Sequence, residues 1–427
     1  MERTFSSAKY QGEVTVPGSK SQTIRAYLIA TFSRGICIVS NALESNDTNS
    51  CRKLCEQIGA KFTFNDNHSQ VTIDASRVPR GLTKSLRVDC ENSGTTLYLA
   101  TGMLASLGCP VTITGDKQLR KRPVGALLEA FRGLGATILS EGDFPPFTIK
   151  GPLKGGSVSI ECPTSQYLSG LLLSCPLALS RSEITVPLLY EKPYVGLTLG
   201  WLDEQHIHYQ ISSDWQHAII EGKQGYKGFT SLVPGDYSSA SFFFCLAAIC
   251  KSTITVRGLV RDDAQGDRKI LDILSQMGCM VSYQKNSVTI TGPDTLEGGV
   301  FDLNAIPDAL PALACTACFA RGDVTFTNVG QARIKETDRI AVMHQELEKL
   351  GARITERDDG MTIHSGMRLH ASAVEGHDDH RIIMALSIIS AGIQGNTTIR
   401  GIDAAKVTFP TFFTLFDSLR GTQNENL

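Results

Sequence analysis

Apolar and polar positions along the chain repeat on two scales. Locally, short stretches with period-two alternation, such as Val288-Thr289-Ile290, give way to longer apolar stretches at helical spacing. Ile24, Tyr27, Leu28 and Thr31 form one such stretch, and Phe242 to Ile249 run almost without a polar break. Over the whole chain one motif recurs: a short strand, a small polar turn and an apolar helix. It reads as VTVPGSKS, LRVDCENSGT, VSIECPTSQ, LVPGDYSSAS, LNAIPDALPA and EGHDDHRIIM. The turn residues Ser19, Ser93, Thr164, Asp236, Asp308 and Asp379 are spaced by 74, 71, 72, 72 and 71 positions, so the chain is a sixfold repeat.

The rest of each repeat follows the same interval. After the apolar helix comes a strand of β-branched residues, as in VTITG, EITVP, TITVRG, DVTFTN and NTTIRG. A second helix then opens near Thr48, Pro123, Tyr194, Asp267, Asp338 and Pro410. Four copies end on a glycine stop, at Gly59, Gly135, Gly278 and Gly351. Strands such as KFTFND, TILSEG, MVSYQK and RITERD complete the unit. Their alternation predicts sheets with one solvated face, whereas the first helix of each repeat is apolar enough to lie inside.

The expected fold is therefore α/β, a two-domain inside-out α/β barrel built from six βαβαββ-like repeats, three per domain. The natural division falls just before Asp236, where Gly225, Gly228 and Pro234 supply a hinge-compatible composition. That division puts the first three repeats before residue 235 and the last three from residue 235 onward. At 427 residues and 42% hydrophobic content the chain can fill two such cores.

Net charge is −2, from 41 basic and 43 acidic groups, which offers no bulk field for nucleic acid or an anionic membrane. The start MERTFSSAKYQGEV lacks the apolar core of a signal peptide, and no stretch approaches a membrane span, so a cytoplasmic protein is expected. Twelve cysteines are scattered through apolar segments and read as reduced, buried thiols; Cys315 and Cys318 form a lone CxxC within a helix-like run.

Polar turns at helix starts are explained by N-capping. The cations beside them are not. In Lys20-Ser21-Gln22-Thr23-Ile24-Arg25 a lysine sits at the positive end of a helix, where a cation is disfavoured unless an anion is bound there. In Lys335-Glu336-Thr337-Asp338-Arg339 two cations are spaced as one helical turn, with a proton-exchanging carboxylate beside them. Arg122 and the pair His380-Arg381 occupy equivalent turns. Together these positions describe a site for more than one phosphate or carboxylate. The nucleotide-binding glycine loops are absent from the sequence.

Eight segments in order, PGSKSxxxR (from Pro17), NSGT (from Asn92), RP (from Arg122), SQ (from Ser165), GDxSSAS (from Gly235), IPDA (from Ile306), KETDR (from Lys335) and DHR (from Asp379), resemble the signature of the 5-enolpyruvylshikimate-3-phosphate synthases. The sister family, UDP-N-acetylglucosamine enolpyruvyltransferase, shares the fold but has an asparagine after the first lysine and no KETDR. The resemblance implies two domains closing over the substrates, with the amino-terminal strand belonging to the carboxy-terminal domain, so that the predicted domains are residues 19–234 and residues 1–18 with 235–427. It implies transfer of the enolpyruvyl group of phosphoenolpyruvate to the 5-hydroxyl of shikimate 3-phosphate, a step of the shikimate pathway towards chorismate and the aromatic amino acids. It further implies a monomer with no metal or organic cofactor.

Carried over position by position, Lys20, Ser21, Arg25, Asp308 and Lys335 would hold shikimate 3-phosphate, with Ser165 and Gln166 near its phosphate. Lys20, Gly94, Arg122, Gln166, Arg339 and Arg381 would hold phosphoenolpyruvate. The chemistry suits these groups. Protonation of the enol methylene makes the adjacent carbon electrophilic, the acceptor hydroxyl attacks it, and loss of phosphate with a methyl proton regenerates the enol ether. Asp308 is assigned as the hydroxyl base, and Glu336 with Lys20 as the acid and base at the methyl carbon.

Four positions depart from the family pattern. Tyr98 stands in place of an arginine, Glu191 in place of a phosphate-binding serine, Gln331 in place of an asparagine, and Val407 in place of a lysine, with Lys406 adjacent. A carboxylate within 4 Å of a phosphate is repulsive by about 4 kcal/mol per pair of unit charges at an effective dielectric of 20. Three readings therefore stay open: the shikimate-pathway enzyme, an enolpyruvyltransferase relative acting on a different hydroxy-acid acceptor, and a non-catalytic anion-binding homologue.

Overall fold

Strands and helices alternate through the chain as the repeat requires. The computed structural model describes residues 1–79, 81 and 84–421. Two compact units emerge: the first is Lys20–Val233, and the second joins Met1–Ser19 to everything from Pro234 onward. Among the described residues each unit contains three sheets, and the sheet layout is nearly constant. In the sheet Leu86–Asp89, Val111–Thr114, Phe147–Lys150, Thr137–Ser140, the first two strands are parallel and the last two form an antiparallel hairpin. The sheet made of Leu296–Asp302, Ala320–Thr327, Gly360–Ile363 and Ile354–Arg357 repeats that order.

Two strands leave the simple tandem scheme. Gly12–Thr15, which opens the first repeat in sequence, pairs in parallel with Thr253–Arg257 of the second unit. Thr230–Leu232, which opens the fourth repeat, pairs in parallel with Ile36–Ser40 of the first unit. The amino terminus also fills the sixth sheet: Glu2–Ser6 runs antiparallel to Asn396–Arg400, standing where other sheets carry their hairpin. Hydrophobic alternation predicts that a strand exists but not which neighbour it takes, so a repeat counted along the sequence differs from one counted in space.

The first helix of each repeat is the core. All thirteen residues of Tyr237–Ile249 are buried, as are His380 to Ala391 in the helix His380–Gly392 and Thr23 to Phe32 in Lys20–Ser33. Each Leu, Ile or Phe so buried contributes roughly 1.5–3 kcal/mol of transfer free energy. The second helices are amphipathic and end where the sequence predicts, at Gly59, Gly135, Gly278 and Gly351, whose φ values of +110°, +93°, +103° and +88° favour glycine. The cysteines are reduced and mostly buried. Burial pushes the Cys318 thiol up to about 12, leaving it protonated at neutral pH. Among the described residues no helix is long and apolar enough to cross a membrane.

Candidate active site

The polar turns of the repeat do two different jobs. At four of them the side chain caps the inner helix: Ser93 accepts from Thr96 N, Thr164 from Gln166 N, Asp236 from Ser238 N and Asp379 from Arg381 N. Asp308 departs from this pattern. It lies in a single 3-10 turn, Pro307–Ala309, where its side chain makes no cap. One carboxylate oxygen instead receives Arg339 Nη1 at 2.8 Å and the other lies 3.0 Å from Arg381 Nη2.

Around Asp308 the second unit assembles a dense ionic cluster. Arg339 is only 1% exposed and divides its N–H groups among three carboxylates. Nε donates to Asp379 Oδ2 at 2.9 Å, Nη1 to Asp308, and Nη2 to Glu336 Oε2 at 2.5 Å. Burial disfavours the guanidinium charge, but Asp379, Glu336 and Asp308 more than offset it and raise the pKa of Arg339 above its ordinary value. Burial likewise works against the Asp379 carboxylate, and Arg339 outweighs it, so the pKa of Asp379 is lowered. Arg381 completes the cluster, donating from Nη2 to Ser238 Oγ at 2.7 Å and from Nη1 to the Asp308 carbonyl at 3.3 Å.

The KETDR segment differs from the spacing argument in one respect. Lys335 and Arg339 do not share a helix face, because Asp338 is the N-cap, accepting from Ala341 N at 3.0 Å, and the helix begins only at Arg339. Lys335 to Thr337 form an irregular connection, with Lys335 at φ −86°, ψ −148°. That break lets Glu336 fold back onto Arg339, which an uninterrupted helix would not require.

The first unit carries the remaining residues. Lys20 begins its helix and its Nζ lies 3.3 Å from Asp47 Oδ2. Ser21 follows on the same turn, and its carbonyl accepts from Arg25 Nη1 at 3.0 Å. Arg25 is 2% exposed and anchored by Thr198 Oγ1, Ser169 Oγ and the Tyr194 carbonyl; burial brings its pKa down to about 10. Arg122 follows the 3-10 turn Leu119–Lys121 and donates to Asn92 Oδ1 at 3.2 Å. Gly94 opens its helix directly beside that guanidinium. Ser165 and Gln166 form the first turn of the helix Ser165–Ser174. The local sequence predicts these placements, but nothing in it singles out Asp47, Asn92, Thr198 or Ser169 as their partners. Of these only Asn92 falls within a recurring turn motif.

A model of EPSP synthase (3-phosphoshikimate 1-carboxyvinyltransferase) matches residues 6–416. The chain belongs to the EPSP synthase family. The 3-phosphoshikimate 1-carboxyvinyltransferase of Ruminiclostridium cellulolyticum is 41% identical over 403 residues, covering 94% of each chain. That of Acetivibrio thermocellus is 42% identical over 411 residues, covering 95% of each. EPSP synthase from Acinetobacter baumannii superposes with a TM-score of 0.82 at 26% identity over 98% of each chain. The enolpyruvyl transferase NikO of Streptomyces tendae shares the fold, with a TM-score of 0.79 at 17% identity. At this level of full-length similarity the activity is that of a 3-phosphoshikimate 1-carboxyvinyltransferase.

The four positions that depart from the EPSP synthase pattern each have a definite setting. Tyr98 is buried and its hydroxyl donates to the Pro123 carbonyl, an acceptor shared with Tyr167 OH; the two rings meet edge to face. Gln331 is buried and donates to the Asn304 carbonyl. Val407 ends the 3-10 turn Ile402–Val407, and Lys406 is exposed, with its Nζ 3.5 Å from Asp403 Oδ1. Glu191 is buried against the Ser165 turn.

Gly94 is a sharp test of this geometry. A Cβ there would lie 2.4 Å from Arg122 Nη1, so the guanidinium must move. Gly94→Ala is expected to raise KM for phosphoenolpyruvate about tenfold, equivalent to about 1.4 kcal/mol, and steady-state kinetics checks it. A second test concerns His380, which is 1% exposed. Burial, against the pull of Glu336 and Asp379, pushes its pKa down to about 3. The unfolded chain therefore takes up a proton below the ordinary value of 6.5 that the native state refuses. This contribution to stability is complete above pH 6.5 and is lost as pH falls towards 3. His380→Gln should flatten the fall in urea midpoint between pH 7.5 and 5.

Proposed function

We propose that the chain transfers the enolpyruvyl group of phosphoenolpyruvate to the 5-hydroxyl of shikimate 3-phosphate, with residue roles set by the two clusters. Asp308 takes the proton of the acceptor hydroxyl as its oxygen attacks the central carbon of phosphoenolpyruvate. Glu336 and Lys20 protonate the methylene and later remove a methyl proton as phosphate departs. Arg122, Arg339 and Arg381 stabilise the anionic groups and the leaving phosphate, with Gly94 leaving room for Arg122. Lys20, Ser21, Arg25, Lys335, Ser165 and Gln166 hold the acceptor. The buried anchorage of Arg25 makes it as much the support of Ser21 as a direct ligand.

The observation that supports this reading best is Asp308, held by two guanidinium groups at a turn where four of its repeat equivalents cap a helix. An arriving polyanion gives Arg339 and Arg381 a competing partner and frees the carboxylate to accept a proton. The two compact units are taken as the domains, three repeats each. The chain is taken to act as a cytoplasmic monomer without a cofactor. Phosphate release from phosphoenolpyruvate, followed with shikimate 3-phosphate present and absent, tests the assignment. Acceptor-dependent release supports it, whereas release only with another hydroxy acid would reassign the acceptor.

A further inference from the structure

Glu191 occupies the donors at the start of the helix Ser165–Ser174. Its Oε2 accepts from Ser165 Oγ at 2.8 Å, from Ser165 N at 3.1 Å and from Thr164 Oγ1 at 3.3 Å, and the residue is 2% exposed. The backbone holds it there. Cys162 and Leu189 form a parallel bridge, Tyr190 N donates to the Cys162 carbonyl at 3.0 Å, and Tyr194 N donates to the Glu191 carbonyl at 3.0 Å. Glu191 itself is left-handed, at φ 55°, ψ 38°, a conformation that costs any residue with a Cβ and is kept only where the surroundings over-determine it. A carboxylate on two hydroxyls and one backbone N–H at a helix start is placed as a bound oxyanion would be.

These donors belong to the group taken above to face the acceptor's phosphate, so this inference rests on that reading. The same N–H and hydroxyl groups cannot serve two anions, and a phosphate oxygen beside the carboxylate would be repelled in a poorly screened setting. We propose that Glu191 is a tethered anion that competes with the acceptor's phosphate for the Thr164 and Ser165 donors. The acceptor must displace it, and Glu191 thereby sets the affinity for phosphorylated acceptors.

The experiment compares the full-length chain with Glu191→Ser and Glu191→Gln. KM for shikimate 3-phosphate is expected to fall at least tenfold in Glu191→Ser and less in Glu191→Gln, which removes the charge but keeps the bulk. The change should fall on KM rather than kcat. A second readout uses inorganic phosphate alone: 10 mM phosphate should raise the melting temperature of Glu191→Ser more than that of the unsubstituted chain. If Glu191→Ser does not fold, Glu191→Gln is read in its place by the same criteria. An unchanged or raised KM, with phosphate stabilising both chains equally, overturns the proposal and leaves Glu191 a static cap. If the unsubstituted chain fails to turn over shikimate 3-phosphate, the functional reading fails, and the phosphate melting comparison still decides the role of Glu191.

Discussion

Replacing Asp308 with asparagine is expected to lower kcat by roughly 10²–10⁴-fold, the usual contribution of a positioned general base. The amide keeps the size of the carboxylate and can still accept from one guanidinium, so the 3-10 turn Pro307–Ala309 should survive. What is lost is the capacity to take the hydroxyl proton. Because Arg339 and Arg381 lose an anionic partner, they become freer to hold substrate phosphate, and KM for phosphoenolpyruvate should not rise with the fall in kcat. Steady-state kinetics with both substrates varied, alongside a circular dichroism spectrum, separates these effects. A loss of less than threefold in kcat would remove Asp308 from the chemistry.

The second large effect concerns stability. Arg339→Met removes the cation that three carboxylates share while keeping most of the side-chain volume. Breaking a buried ion pair from one side costs about 3–5 kcal/mol, because the remaining charge is left uncompensated. The pH dependence carries the sign. The depressed pKa of Asp379 means that its contribution is present above the ordinary carboxylate range and is lost as pH falls through the depressed value. In Arg339→Met that contribution is missing at neutral pH and the carboxylates repel one another. The deficit relative to the unsubstituted chain should therefore be largest near pH 7 and shrink below about pH 4, where unfolded and folded carboxylates alike take up protons. Urea unfolding across this range measures it, and a deficit that grows on acidification would contradict the cluster's electrostatics.

The sixfold repeat, the buried first helices and the glycine stops follow from periodicity and composition, because burial and left-handed turns each demand particular residue types. The exchange of Gly12–Thr15 and Thr230–Leu232 between sheets does not follow, because pairing partners are fixed by long-range geometry that a strand's own alternation does not encode. At the site, Lys20, Arg122, Arg339 and Arg381 stand out as cations at helix starts. Several of their partners do not. Asp47, Asn92 and Asp379 resemble ordinary capping or turn residues until the fold brings them beside a cation. The KETDR segment shows the converse. Its spacing reads as one helical turn, but the cap at Asp338 interrupts it and sends Glu336 back to Arg339. Glu191 was visible in the sequence as a departure, and only its contacts with Thr164 and Ser165 turn it into a competing anion.

The mechanism makes the methylene of phosphoenolpyruvate pass through a methyl group, and solvent hydrogen reports that passage directly. Turnover in deuterium oxide, read by proton NMR and mass spectrometry, should place deuterium in the vinyl methylene of the product, together with release of one phosphate per acceptor consumed. Acceptor-dependent phosphate release that leaves the product methylene free of deuterium, or release at the same rate without acceptor, would contradict addition and elimination by these residues.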